Sequence, residues 1–91
     1  MNPGDIVLFW FSGLIVEGKR QLESIEATVI GIVVVPEPNV VLVLDVNWPD
    51  DEIVKLDDGR RIHRDLGFLV RQSFVPQADT DPPASGTWTL P

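Results

Sequence analysis

The sequence predicts an all-β fold of five to six antiparallel strands closed into a small barrel, and two stretches carry that expectation. From Ala27 to Val46, two runs dense in Val and Ile flank the connector Pro36-Glu37-Pro38-Asn39. β-Branched side chains suit a pleated surface, and proline between two runs of strand length favours paired strands over one buried helix. Further on, Asp57-Asp58-Gly59 marks a tight turn with positive φ near the glycine, set between Glu52 to Leu56 and Arg60 to His63.

The remaining elements follow in chain order. Pro3-Gly4 signals a turn, and Asp5 to Phe11 reads as a strand with Ile6, Leu8 and Trp10 on one face and Val7, Phe9 and Phe11 on the other. Both faces need a cover. Ser12 to Ser24 changes to glycine and mixed charge and is expected as a long excursion, with a short turn of helix near Gln21 to Ser24. Ile25 to Val35 begins by alternating, with Ile25, Ala27 and Val29 against Glu26 and Thr28. It then becomes apolar throughout, as a strand buried on both sides would, and Gly31 marks a bend or bulge. Val40 to Asn47 returns with Val40, Leu42, Leu44 and Val46 on one face, and Trp48-Pro49-Asp50-Asp51 turns the chain. After the Gly59 hairpin, Arg64-Asp65-Leu66-Gly67 suits a single 3₁₀ turn ahead of a last strand, Phe68 to Arg71. Ser73 to Pro91 holds four prolines and two aspartates with no base and no alternation. Taken alone it cannot offset its ordering entropy, so a disordered, acidic, Pro-rich tail is expected. The domains are then 1–72, a barrel, and 73–91, a flexible tail.

A strand, a long loop, a long apolar hairpin and a 3₁₀-like turn before the last strand resemble the SH3-like small barrels, the group of Tudor, KOW and chromo-barrel modules. The residues behind the resemblance are Pro3-Gly4-Asp5-Ile6-Val7, the apolar hairpin and Asp58-Gly59-Arg60-Arg61-Ile62-His63-Arg64-Asp65-Leu66. It implies a fold, and a fold hosts many functions. The chain has no tyrosine with which to line the peptide groove of proline-binding SH3 domains.

Composition narrows the function classes. At 91 residues, one domain is expected, near the small end of what buries a self-sufficient core, so a homo-oligomer or a partner would help it. Fourteen acids against seven bases give a formal charge of -7, which repels a phosphate backbone and favours a basic protein surface as partner. There is no cysteine, hence no disulfide, thiolate metal site or cysteine nucleophile, and a cytoplasmic location is the default expectation. Ile6 to Val16 is apolar but short for a membrane helix and has Asp5, not a base, ahead of it.

No catalytic, cofactor or metal motif stands out. The candidate partner-binding residues are Asp45, Trp48, Asp50, Asp51, Glu52, Asp57 and Asp58: acids concentrated around two turns with an aromatic anchor among them. Exposed turns also collect acids merely because they are wet. Arg60, Arg61, His63 and Arg64 follow at once and are expected to pair with these acids. The leading expectation is a non-enzymatic protein-binding module that uses the acidic turn region and an exposed apolar and aromatic strand surface. One alternative is a small acidic inhibitor of the phage or mobile-element type that mimics nucleic acid and blocks a host nucleic-acid-binding enzyme. Another is a barrel that binds nucleic acid through Arg60, Arg61, Arg64 and Arg71.

Overall fold

A computed structural model describes residues 1–36 and 40–91. Beyond Pro36, the Pro-Glu-Pro-Asn connector lies outside the described residues. Seven strands are described: β1 (Ile6–Val16), β2 (Lys19–Val33), β3 (Val41–Val46), β4 (Ile53–Lys55), β5 (Arg61–His63), β6 (Arg71–Pro76) and β7 (Trp88–Thr89). Five form an antiparallel sheet in the order β6-β3-β2-β1-β7, and β4 and β5 form a separate hairpin. The sheet curls until its edges meet. Gln77, just after β6, bridges Trp88 of β7 in parallel, and the Ala78 N–H donates to the Trp88 carbonyl at 2.9 Å. The all-β expectation holds, and among the described residues no helix is long and apolar enough to cross a membrane.

The inner surface follows from alternation. Val7, Phe9 and Phe11 of β1 are buried, as are Ala27 and Val29 of β2 and Leu42, Leu44 and Val46 of β3. Across the β2–β3 ladder the pairs Ala27–Val46 and Val29–Leu44 share this inner face. A bulge between Val29 and Gly31 shifts the register where Gly31 suggested a bend. Beyond it the chain departs from expectation, because Ile30, Ile32 and Val34 are exposed. Among the described residues no second layer covers this end of β2.

Ser12 to Ser24 also departs from the expected loop. β1 runs on to Val16, β2 starts at Lys19, and Glu17 (φ 52°) and Gly18 (φ 76°) make the two-residue turn. Positive φ at both positions is the type I′ geometry that suits the twist of paired strands. A register shift between Ser12 and Ile15 accommodates Gly13, where an added Cβ would strike the Glu23 carboxylate. Backbone pairing has organised a stretch whose side chains show no alternation.

The largest difference concerns residues 73–91, expected as a flexible tail. β6 crosses the boundary drawn at 72 and pairs with β3, opposing Val75 to Leu42 and Pro76 to Val41. β7 pairs with β1, opposing Trp88 to Phe9. Trp88 is 2% exposed, and its indole N–H donates to the Val40 carbonyl at 3.1 Å. Between β6 and β7 the chain is held by Gly86 N–H to the Trp10 carbonyl (2.8 Å), Trp10 N–H to the Thr87 carbonyl (2.9 Å) and Ser12 N–H to Ser85 Oγ (3.1 Å). Trp10, the half-buried aromatic of the outer β1 face, donates its indole N–H to Thr89 Oγ1 at 2.8 Å. Composition alone hides this, because the burial that offsets the ordering entropy comes from the rest of the barrel.

Candidate functional site

The β4–β5 hairpin and its approach hold most of the acids singled out above. Asp50–Glu52 forms a single 3₁₀ turn, and Gly59 (φ 91°) closes the hairpin with its N–H on the Leu56 carbonyl at 2.9 Å. The hairpin is fastened to the main sheet through Phe68 to Val70. His63 N–H donates to the Phe68 carbonyl (2.8 Å), Val70 N–H to the Arg61 carbonyl (2.9 Å) and Val46 N–H to the Val70 carbonyl (2.9 Å). In place of the 3₁₀ turn expected at residues 64–67, a wider turn runs from His63 to Gly67, whose N–H reaches the His63 carbonyl at 2.9 Å.

The seven candidate residues divide sharply. Trp48 is no exposed anchor: it is 9% exposed and stands edge-on to Phe11, with ring centroids 5.1 Å apart. Apolar rings leave water wherever a core can take them, and the turn carrying Trp48 closes over the end of β1. Among the described residues the buried indole N–H has no acceptor. Glu52 is half-buried, its carboxylate 3.1 Å from His63 Nε2. Asp45 is held in a two-pronged pair by Arg71, at 2.9 Å from Nε and 3.1 Å from Nη2, and this hydrogen bonding raises the Arg71 pKa further. Asp58 accepts from the Arg60 backbone N–H at 3.0 Å and from its guanidinium at 2.6 Å. The backbone bond leads in holding the Asp58 carboxyl below its ordinary value. Asp50, Asp51 and Asp57 remain as exposed carboxylates with no basic partner in ion-pair range among the described residues.

His63 is 4% exposed and fully engaged. Nδ1 accepts from the N–H groups of Asp65 (3.2 Å) and Leu66 (3.1 Å), which leaves Nε2 as the donor to Glu52, while the ring lies 4.5 Å from Trp48. Its two nitrogens pin the turn to the 3₁₀ segment. Arg64 is likewise spent on the Asp51 carbonyl (2.7 Å) and Asp65 (3.2 Å).

On the far side of the sheet lies an exposed apolar face whose residues the sequence did not single out. The pairs Gly31–Val43 and Val33–Val41 point outward, alternating with the buried pairs of β2 and β3. On β6 the register shifts between the partners of Leu42 and Leu44, so Ser73 and Phe74 both stand opposite Val43. Phe74 has φ 57° and is 70% exposed. A left-handed backbone costs a non-glycine residue about 1–2 kcal/mol, and this one holds a large aromatic ring in water. The register sets Val33, Val41, Val43 and Pro76 at the neighbouring positions of this face, and an added Cβ on Gly31 would meet nothing within 4 Å. The only signal in the sequence was an aromatic beside Val75, discounted with the rest of the segment. Comparison with protein-family models, curated proteins and solved structures found no match.

Proposed function

We propose that this chain is a non-enzymatic barrel of the SH3-like kind that binds another protein through the outer face of β2, β3 and β6. The observation that carries the reading is Phe74, a strained and exposed aromatic among half-buried valines. A chain gains nothing in its own stability from such a residue, whereas an interface gains an anchor. Asp50, Asp51 and Asp57 add the steering charge for a partner with a basic rim, and act on the association rate more than on the lifetime of the complex. The engagement of His63, Glu52 and Arg64 in local hydrogen bonds supports a structural role for the residues that most resemble catalytic ones.

The test places a photo-crosslinking phenylalanine analogue at position 74, at 43, or at 54 on the exposed side of the β4–β5 hairpin, in lysate of the source cells. The expected result is one shared product from positions 74 and 43 and none from 54, competed by wild-type protein but not by Phe74→Ser protein. Equal products from all three positions, or competition by Phe74→Ser as effective as wild type, would overturn the reading. Once the product is identified, the triple change Asp50→Lys, Asp51→Lys and Asp57→Lys should slow association several-fold, and added salt should reduce the difference.

A further inference from the structure

Where the β4–β5 hairpin meets β6, an open groove of about 550 Å³ is lined by Asp58, Gly59, Arg60, Arg61, Leu69, Val70, Arg71 and Ser73. Its size is in the roughly 300–1,000 Å³ range of small-ligand sites. Three guanidinium groups border it in a protein of net charge -7. Arg60 is committed to Asp58 and Arg71 to Asp45. Arg61 has no acidic partner among the described residues, so one positive charge of the groove is uncompensated. A second observation points the same way. The strand register sets Lys55 directly opposite Arg61, and Lys55 too has no acidic partner among the described residues. Like charges directly opposed across a ladder destabilise it, and an anion seated between or beside them removes the repulsion.

We propose that this groove binds a small organic carboxylate, its oxygens on the Arg61 guanidinium and its apolar part on Leu69 and Val70. Three features select that chemistry. A guanidinium offers a planar fork that matches two carboxylate oxygens. The single uncompensated arginine matches one negative charge, while Asp58 and Asp45 beside the other two repel a continuous phosphate track. Leu69 is exposed and Val70 buried, so the groove has an apolar floor for a group attached to the carboxylate. The groove adjoins the Phe74 face at Ser73, but the inference rests on Arg61 and stands without the reading of Phe74.

The experiment titrates the full chain with N-acetyl-phenylalanine, following the arginine Nε–Hε NMR signals and the heat of binding. N-acetyl-phenylalaninamide, inorganic phosphate and a single-stranded DNA oligonucleotide are the comparison ligands. The expected result is a saturable shift of the Arg61 signal with the acid and none with the amide. Arg61→Gln should weaken binding about tenfold or more, as loss of a charge-assisted pair does, whereas Arg64→Gln should leave it unchanged. Both arginines are exposed, and because Arg64→Gln loses the bond to the Asp51 carbonyl, an unchanged amide NMR spectrum is required of both variants before titration. No saturable shift, an equal response to the amide, or indifference to Arg61→Gln would overturn the proposal. Phosphate binding as tight as the acid would overturn the assignment to an organic carboxylate, and tighter oligonucleotide binding near physiological salt would overturn it in favour of nucleic acid.

Discussion

Phe74 and Trp88 are two aromatics of one proline-rich segment, and their environments are opposite. Trp88 is 2% exposed, paired with Phe9 across β7 and β1, and its N–H has found the Val40 carbonyl. Phe74 is 70% exposed and sits on a left-handed backbone at a β6 register shift. Val75, one residue on, is buried opposite Leu42. The same short strand thus closes the core with one side chain and presents the next to solvent. Aromatic character alone does not separate a buried residue from an exposed one. The register separates them, and in β6 the bulge sets it.

The most severe way to break the comparison is to remove the buried partner. Trp88→Ala is expected to destabilise by about 3–5 kcal/mol, the cost of emptying a large aromatic site, and to lower the urea midpoint accordingly. Deleting Asp79 to Pro91 should act at least as strongly. An unchanged midpoint would mean that the segment is the free tail its composition suggests.

Gly13→Ala comes next. The new methyl would push the flexible Glu23 carboxylate aside and lie 3.2 Å from the Phe11 ring, so a loss of about 1 kcal/mol, the low end of overpacking, is expected in equilibrium unfolding. Trp48→Phe tests the opposite kind of buried aromatic. It removes an N–H that has no acceptor among the described residues, so the loss of ring area is partly offset and a change within about 1.5 kcal/mol is expected. A larger loss would indicate that the indole N–H is satisfied in solution. The smallest effect belongs to Lys55→Glu, which turns a like-charged cross-strand pair with Arg61 into an opposite one. A gain of about 0.2–1 kcal/mol is expected, shrinking as salt is added.

What could be read from the sequence was what local pattern encodes. Alternation in β1 placed Val7, Phe9 and Phe11 together, and they are the buried face; Asp57-Asp58-Gly59 gave the hairpin turn, with Gly59 at φ 91°. Three features were not legible, each for a physical reason. Ser12 to Ser24 pairs through backbone bonds that carry no side-chain periodicity. The last nineteen residues fold because Val40, Phe9 and Trp10 await Trp88 and its neighbours, a long-range condition that composition does not express. Of the candidate site, the expected pairing with the bases that follow is met by Asp58 with Arg60 and by Glu52 with His63, whereas Asp45 meets Arg71 across β3 and β6, and the acids at 50, 51 and 57 have no basic partner among the described residues. Trp48 went into the core.

The central claim is that Phe74 is kept exposed and strained for an interface. Its most direct test is Phe74→Gly, measured both by equilibrium unfolding and by binding to the partner identified through position 74. Glycine adopts the left-handed backbone freely, though its looser unfolded chain takes back part of that gain, so stability should rise by about 0.5–1 kcal/mol. Binding should fall at least about tenfold, the loss expected on truncating an aromatic anchor. A variant that is less stable than wild type, or equally stable and equally good at binding, would contradict the claim and return Phe74 to the ordinary structural residues of β6.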